Sequence, residues 1–303
     1  GAGPPVLLQH GNPTWSFLWR KVIRRLVAGG VRAIAPDLVG LGLSDKPGDA
    51  ATHSLAFHAQ QIEGLVRALQ LERAMIVGQD WGGPVLGLVA ARNPQLVRGA
   101  VFANTSLLAP RREGALSWFH RLAHMPLASS FLFRGLNFPM PVLHRVQGDP
   151  RSIGRLEKRA YRYPLRRARD RTAPLALARM VPTTLDHPSV EPLRQVEAWA
   201  SSFSGPVRLV WGLADPIMGR SLKGMVRLFP AAAVGSGAAV TVEAEPDGAA
   251  GAHLVAAAAV LARRGRCVPA PVRIDTGNAD ESGPAREPAR SARSVTGDRK
   301  RQA

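Results

Sequence analysis

One octapeptide, VGQDWGGP at Val77–Pro84, constrains this chain of 303 residues more than any other stretch. The run before it, AMIV, is apolar, and the run after it, VLGLVAAR, has helical spacing. A strand, a Gly-x-X-x-Gly turn and a helix make a sharp bend that exposes the side chain at its apex. The motif otherwise carries a serine there, but this chain has Asp80. A serine needs a base to become nucleophilic, whereas a carboxylate is ordinarily ionised at pH 7.

The surroundings of that bend set the fold class. PPVLLQHGNP, VRAIAPD, AMIVGQD, GAVFANT and PVRLVWG are short apolar runs rich in Val and Ile. Helically spaced segments, SFLWRKVIRRLVAGG and HSLAFHAQQIEGLVRALQL, lie between them. Strands alternating with helices predict an α/β fold with a mostly parallel sheet flanked by helices. After Thr105 the alternation stops, and residues 106–183 read as an inserted helical cap punctuated by proline. Residues 1–105 and 184–262 then form the two parts of the core. Residues 263–303 are rich in Pro, Gly, Ala, Ser and Arg and are expected to be disordered. That tail has the composition of a shifted reading frame in a GC-rich gene.

An apolar share of 46% is enough for a real core. The net charge of +18 is concentrated in residues 111–171 and in the tail. No nucleic-acid motif accompanies it, so these are read as solvated faces and nucleic acid is not expected as a partner. No apolar run is long enough to cross a bilayer, so no membrane partner is expected either. The one cysteine, Cys267, excludes an internal disulfide framework and favours a cytoplasmic enzyme.

An aspartate at the apex suits reactions at saturated carbon. Its attack displaces a leaving group and leaves an alkyl ester on the enzyme. A base-activated water then hydrolyses that ester, with backbone N–H groups stabilising the oxyanion. Carbon–halogen bonds and epoxides both fit. HGNPTWSFLW at His10–Trp19 and GQDWGGP at Gly78–Pro84 resemble the corresponding loops of haloalkane dehalogenases, members of the α/β-hydrolase superfamily. Epoxide hydrolases usually carry His before the Asp and lack the Asn of the first loop. Fluoroacetate dehalogenases usually carry Arg where Trp81 stands. The resemblance runs from Pro5 to Pro230 and includes RAIAPDLVGLGLSDKP, RNPQLVRGAVFANT, AYRYPLRRARDRTAPLALARMVP and VWGLADP. Hydrolase cores of this kind have further strands before the first loop, so the N-terminal strands are expected to be missing.

The resemblance implies hydrolysis of a small halogenated alkane to an alcohol and a halide ion, with no organic cofactor and no metal. It makes Asp80 the nucleophile. It makes Asn12 and Trp81 the halide clamp, with their backbone N–H groups as the oxyanion hole. It places the acid that orients the base after either of two strands. The first position holds Asn104, which is no carboxylate; the second holds Asp215. This combination resembles the third dehalogenase subfamily. The base would be His253, the only histidine after Asp215. Its context departs from the family pattern: Ala252 replaces a glycine, the residue comes late and the acidic segment is absent. His253 is therefore either a displaced base or a chance histidine in an altered tail, and an impaired homologue is the alternative to an active enzyme.

His10 is expected to order its loop, and Asp37 and Asp45 to be structural. Trp118, Phe119, Phe131, Phe133, Phe138 and Leu143 are candidates for an apolar substrate pocket or for the cap's own core. Epoxide hydrolases use two cap tyrosines as acids, but Tyr161 and Tyr163 are expected to be structural. The oligomeric state is left open.

Overall fold

Alternate residues along the central strands face opposite ways, and both faces of the sheet are covered. Leu7, Ile76, Phe102 and Leu209 pack into one apolar cluster, and their neighbours Val6, Val77, Val101 and Val210 into another. A strand buried on both faces reads as a continuous apolar run, which is why the runs were legible. The computed structural model describes residues 1–113, 117–143 and 153–237. These residues fall within one compact unit.

The six described strands are β1 (Pro5–Gln9), β2 (Arg32–Ile34), β3 (Ala74–Gln79), β4 (Val97–Ala103), β5 (Val207–Gly212) and β6 (Ala233–Gly237). They form one sheet in the order β2-β1-β3-β4-β5-β6, with every pair parallel. The five apolar runs correspond to β1–β5. β6 went unread because its sequence, AVGSG, lacks the bulk that marks a strand.

Helices α2 (Leu55–Ala68), α3 (Gly82–Arg92) and α8 (Val190–Ser202) contribute Ile62, Leu86 and Val196 to the larger cluster. Helix α1 (Arg20–Ala28) contributes Val22 and Leu26 to the other. Ser54 caps α2, its side-chain oxygen accepting from the Phe57 N–H at 3.1 Å. Between β4 and α8 the described residues contain helical elements and no strand: α4 (Trp118–His124), α5 (Ala128–Ser130) leading into a π-helical turn at Phe131–Gly135, α6 (Arg155–Arg162) and α7 (Thr172–Arg179). They have apolar clusters of their own, one around Phe119 and Phe133 and one around Met140, Leu143 and Tyr161. Helix α9 (Leu222–Leu228) precedes β6. No helix among the described residues is long and apolar enough to cross a membrane. His253, Cys267 and the 263–303 tail lie outside the described residues.

The strand order reverses at β1. The chain runs from β1 outward to β2, then returns to β3 on the other side of β1. In parallel sheets the two loops leaving such a switch point diverge and open a crevice at the carboxyl ends of the strands. The loops concerned are Gln9–Asn12 after β1 and the Asp80 turn after β3.

Close approach of these elements depends on Gly82, the first residue of α3. A Cβ at Gly82 would collide with the Gln9 carbonyl oxygen at the end of β1. Both partners are fixed backbone, so neither yields freely. Gly82→Ala is expected to lower stability by about 1–3 kcal/mol, the usual penalty of overpacking, in urea unfolding. An unchanged midpoint would show that the contact relaxes without strain.

Candidate active site

Asp80 adopts φ +51°, a left-handed backbone that few side chains accept. The segment after β4 holds it there. The Thr105 hydroxyl donates to the Asp80 carbonyl at 2.6 Å, and the Asp80 N–H donates to the Asn104 carbonyl at 3.2 Å. The turn aims the carboxylate toward the loop after β1. The Asn12 N–H donates to Asp80 Oδ1 at 2.7 Å, and the Trp81 N–H also bonds the carboxylate. Gly11 makes this approach possible, since a Cβ there would strike the Asp80 carboxylate and crowd the Trp81 nitrogen.

Burial pushes the Asp80 carboxyl up to about 6. The N–H groups of Trp81 and Asn12 oppose that rise, and the nearby Asp215 carboxylate adds to it. Asp80 thus remains mostly ionised at pH 7, in a setting that stabilises charge poorly apart from two backbone dipoles. Such a carboxylate is a better nucleophile than one bathed in water.

Asn12 and Trp81, whose backbone N–H groups bond that carboxylate, also carry side-chain donors. Asn12 Nδ2 donates one hydrogen to the Pro174 carbonyl in α7 at 2.9 Å, which fixes the amide's orientation. Its second amide hydrogen has no acceptor among the described residues, and its Oδ1 is buried without a partner. Trp81 is nearly buried in the larger core cluster. An indole N–H donates only, and an amide NH₂ has two donors.

Asp215 follows β5 and is anchored from three directions. Oδ1 accepts the N–H groups of Ile217 at 2.8 Å and Met218 at 2.9 Å. Oδ2 accepts from Asn104 Nδ2 at 2.6 Å. Asn104 also accepts the Gly212 N–H at 2.8 Å and donates to the Gly212 carbonyl at 3.3 Å. Sequence reasoning treated Asn104 only as a missing carboxylate. The signal that points to its role is its amide, which donates and accepts at once, at the end of a strand bordering the Asp215 strand. Pro174 was missed altogether, because a backbone carbonyl leaves no mark in a sequence.

The remaining expectations divide. His10 is fully buried, with Nδ1 donating to the Gly11 carbonyl at 2.9 Å and Nε2 accepting the Leu38 N–H at 3.0 Å. Burial lowers its pKa, so it is a neutral loop brace with both nitrogens occupied. Asp37 accepts the N–H groups of Ser16 at 2.6 Å and Leu43 at 2.8 Å, a structural use. Tyr161 is buried and meets the Phe17 ring edge-on, while Tyr163 is half exposed beneath Arg166. The two tyrosines therefore do not share one environment, as a pair of acids serving one substrate would. Phe119, Phe133, Phe138 and Leu143 pack into the apolar clusters of the inserted segment. Trp118 and Phe131 do not line a buried pocket as entertained; they are 50% and 65% exposed.

Four strand ends thus deliver Asn12, Asp80 with Trp81, Asn104 and Asp215 to one end of one sheet. The family model of the alpha/beta hydrolase fold matches residues 4–236. A haloalkane dehalogenase of Mycobacterium marinum is 30% identical over 235 residues, covering 76% of this chain and 75% of that protein. The chain belongs to the haloalkane dehalogenases. Haloalkane dehalogenase 2 of Mycobacterium bovis is 43% identical over a shorter span of 126 residues, 42% of this chain and 43% of that protein. Among solved dehalogenases, DatA of Agrobacterium tumefaciens superposes with a TM-score of 0.75 at 26% identity, covering 86% of this chain and 91% of that one.

The raised Asp80 pKa has a consequence for stability. A carboxyl whose folded pKa, about 6, exceeds its unfolded value disfavours folding once ionised. That penalty is full above pH 6 and disappears below the unfolded value of about 4. Asp80→Asn removes the charge and keeps an acceptor for the Asn12 N–H, in a backbone region that asparagine tolerates. Its melting temperature is expected to exceed that of the unmodified chain at pH 8, with the gap closing as pH falls to about 4. Equal melting temperatures at both pH values would contradict the desolvated carboxylate.

Proposed function

We propose that the chain hydrolyses small haloalkanes to an alcohol, a halide ion and a proton through a covalent ester on Asp80. The observation that carries this reading is a carboxylate at a strained apex, held by the backbone N–H groups of Asn12 and Trp81, two residues that also carry side-chain donors. An Asp80 oxygen attacks the carbon bearing the halogen. The carbon–halogen bond breaks, and the halide leaves with the bonding pair. Asn12 Nδ2 and Trp81 Nε1 donate to the halide as its charge develops. Water then adds to the ester carbonyl, giving up a proton to a base. The oxyanion settles on the N–H groups of Asn12 and Trp81, and the alcohol departs as the carboxylate returns.

No metal or organic cofactor enters these steps. The base in this reading is His253, oriented by Asp215, which stabilises the imidazolium. Asn104 fixes the Asp215 carboxylate. The Asp acid with an Asn–Trp clamp is the pattern of the third dehalogenase subfamily. The helical segment 106–183 is the cap over the site, and the enzyme is placed in the cytoplasm.

In heavy-oxygen water, a single turnover is expected to label the Asp80 carboxylate, because water attacks the ester carbonyl. Label arriving directly in the first alcohol would remove the covalent ester. The burst of halide release from bromobutane is expected to fall as pH drops through about 6, where Asp80 gains its proton.

Trp81→Phe keeps most of the ring and loses the donor. It is expected to slow halide release by about 10²–10³, as does removal of one preorganised donor elsewhere. Unchanged release in both Trp81→Phe and Asn12→Ala would refute the clamp.

His253→Phe is expected to stop after one halide per enzyme, with a butyl adduct on Asp80 in the mass spectrum. The same arrested adduct in the unmodified chain would show that His253 is not the base and leave the first half-reaction intact.

A further inference from the structure

The outer surface of the cap carries apolar side chains and cations together. Leu127 is 88% exposed, and Phe131 and Leu136 lie largely in water nearby. Leu127 and Phe131 are one turn apart, the Phe131 N–H donating to the Leu127 carbonyl at 3.0 Å. Leu127 adopts φ +57°, a strained backbone for a leucine, yet its side chain buries almost nothing within the chain. Beside this ridge, α6 and the turn after it form a groove of about 510 Å³ lined by Arg155, Lys158, Arg159, Arg162, Tyr163 and Arg166. Arg171 joins the two features. Its guanidinium donates to the carbonyls of Arg134 and Gly135 on the ridge and to those of Leu165 and Arg166 at the groove, all at 2.7–2.9 Å.

We propose that this face of the cap lies against an anionic phospholipid surface. Lipid phosphates pair with the groove's guanidinium groups, while Leu127, Phe131 and Leu136 enter the boundary between headgroups and acyl chains. Tyr163, apolar in body and polar at its tip, suits that boundary. A second copy of the chain is a poor occupant, because the face is cationic and each copy carries +18. Nucleic acid would pair with the arginines but leave the apolar ridge in water. A chain with no spanning helix among its described residues can still lie on a membrane, since resting there needs only the outer few ångströms of the bilayer.

The inner side of α6 faces the other way. Tyr161 packs edge-on against Phe17, which lies in the stretch after the Asn12 loop. One helix therefore connects the lipid-facing surface to the neighbourhood of the site. If the dehalogenase reading holds, apolar haloalkanes dissolved in the bilayer are concentrated where the cap rests. The docking itself does not depend on that reading.

The test is co-sedimentation of the full chain with vesicles of phosphatidylglycerol and phosphatidylcholine in equal parts, against phosphatidylcholine alone, at about 0.1 M salt. Retention is expected only on the anionic vesicles. Replacing Arg159, Arg162 and Arg166 by Gln is expected to lower vesicle affinity roughly 100-fold, about fivefold for each interfacial cation. Replacing Leu127 and Phe131 by Ser is expected to lower it at least about tenfold, with affinity for a control DNA duplex unchanged. All five positions are exposed, so melting curves and halide release without vesicles should match the unmodified chain.

Vesicle binding that survives both sets of changes would overturn the proposal and assign it to charge elsewhere in the chain. A serine double variant with full vesicle affinity, beside a glutamine triple variant weakened equally on vesicles and duplex, would overturn it in favour of simple polyanion binding. Because retention is read without turnover, loss of docking and loss of dehalogenase chemistry are separate results.

Discussion

Two backbone N–H groups on one desolvated carboxylate hold the arrangement together. Burial alone would protonate Asp80 well above the ordinary carboxylate range, and Asp215 pushes the same way. Only the dipoles of Asn12 and Trp81 resist. Their convergence requires the loop after β1 and the turn after β3 to touch, which a parallel sheet permits where its strand order reverses. Gly82 lets α3 start against the end of β1, and Gly11 lets the first loop reach the carboxylate. The two glycines serve one purpose, bringing two backbones closer than side chains allow.

The same groups would act twice. In the resting state they keep Asp80 charged enough to attack. In ester hydrolysis they would receive the negative charge that forms on the carbonyl oxygen. Because they are main-chain groups held by the sheet, they need not reorganise between the two steps, which is what makes preorganised donors effective. In the proposed reaction the side-chain donors of Asn12 and Trp81 would address a different charge, that of the departing halide. Two residues would thus supply four donors, divided between two anions that form at different times.

The sequence announced the sheet because buried parallel strands are continuous apolar runs, and announced the turn that presents Asp80 because Gly78 and Gly82 bracket it. Asn12, Trp81 and Asp215 were legible through resemblance and came together at the strand ends. What stayed hidden depends on contacts distant in sequence. Asn104 meets Gly212 across 108 positions, and Asn12 meets Pro174 across 162. Nothing in a local pattern reveals which backbone carbonyl a side chain will find. The exposure of Trp118 and Phe131 was equally hidden, since helical spacing shows that a face is apolar without showing what covers it. Asn104 illustrates the limit of reasoning by residue type: not being an acid is compatible with holding one in place.

The bond from Asn12 to Pro174 ties the first loop to the inserted helical segment. Asn12 belongs to the core loop, but its amide plane is set by a carbonyl of α7, beyond β4 and the first cap helices. Were α7 to shift outward, Nδ2 would lose its anchor, and the amide could rotate to relieve the buried, unpartnered Oδ1. The backbone N–H of Asn12 would stay on Asp80, since the sheet and Gly11 govern that contact. The two functions of one residue therefore rest on different supports. The backbone N–H is held by the core, and the side-chain amide by α7 in the inserted helical segment. In the proposed reaction, a shift of α7 would therefore act on the side-chain amide of Asn12 and not on its backbone bond to Asp80.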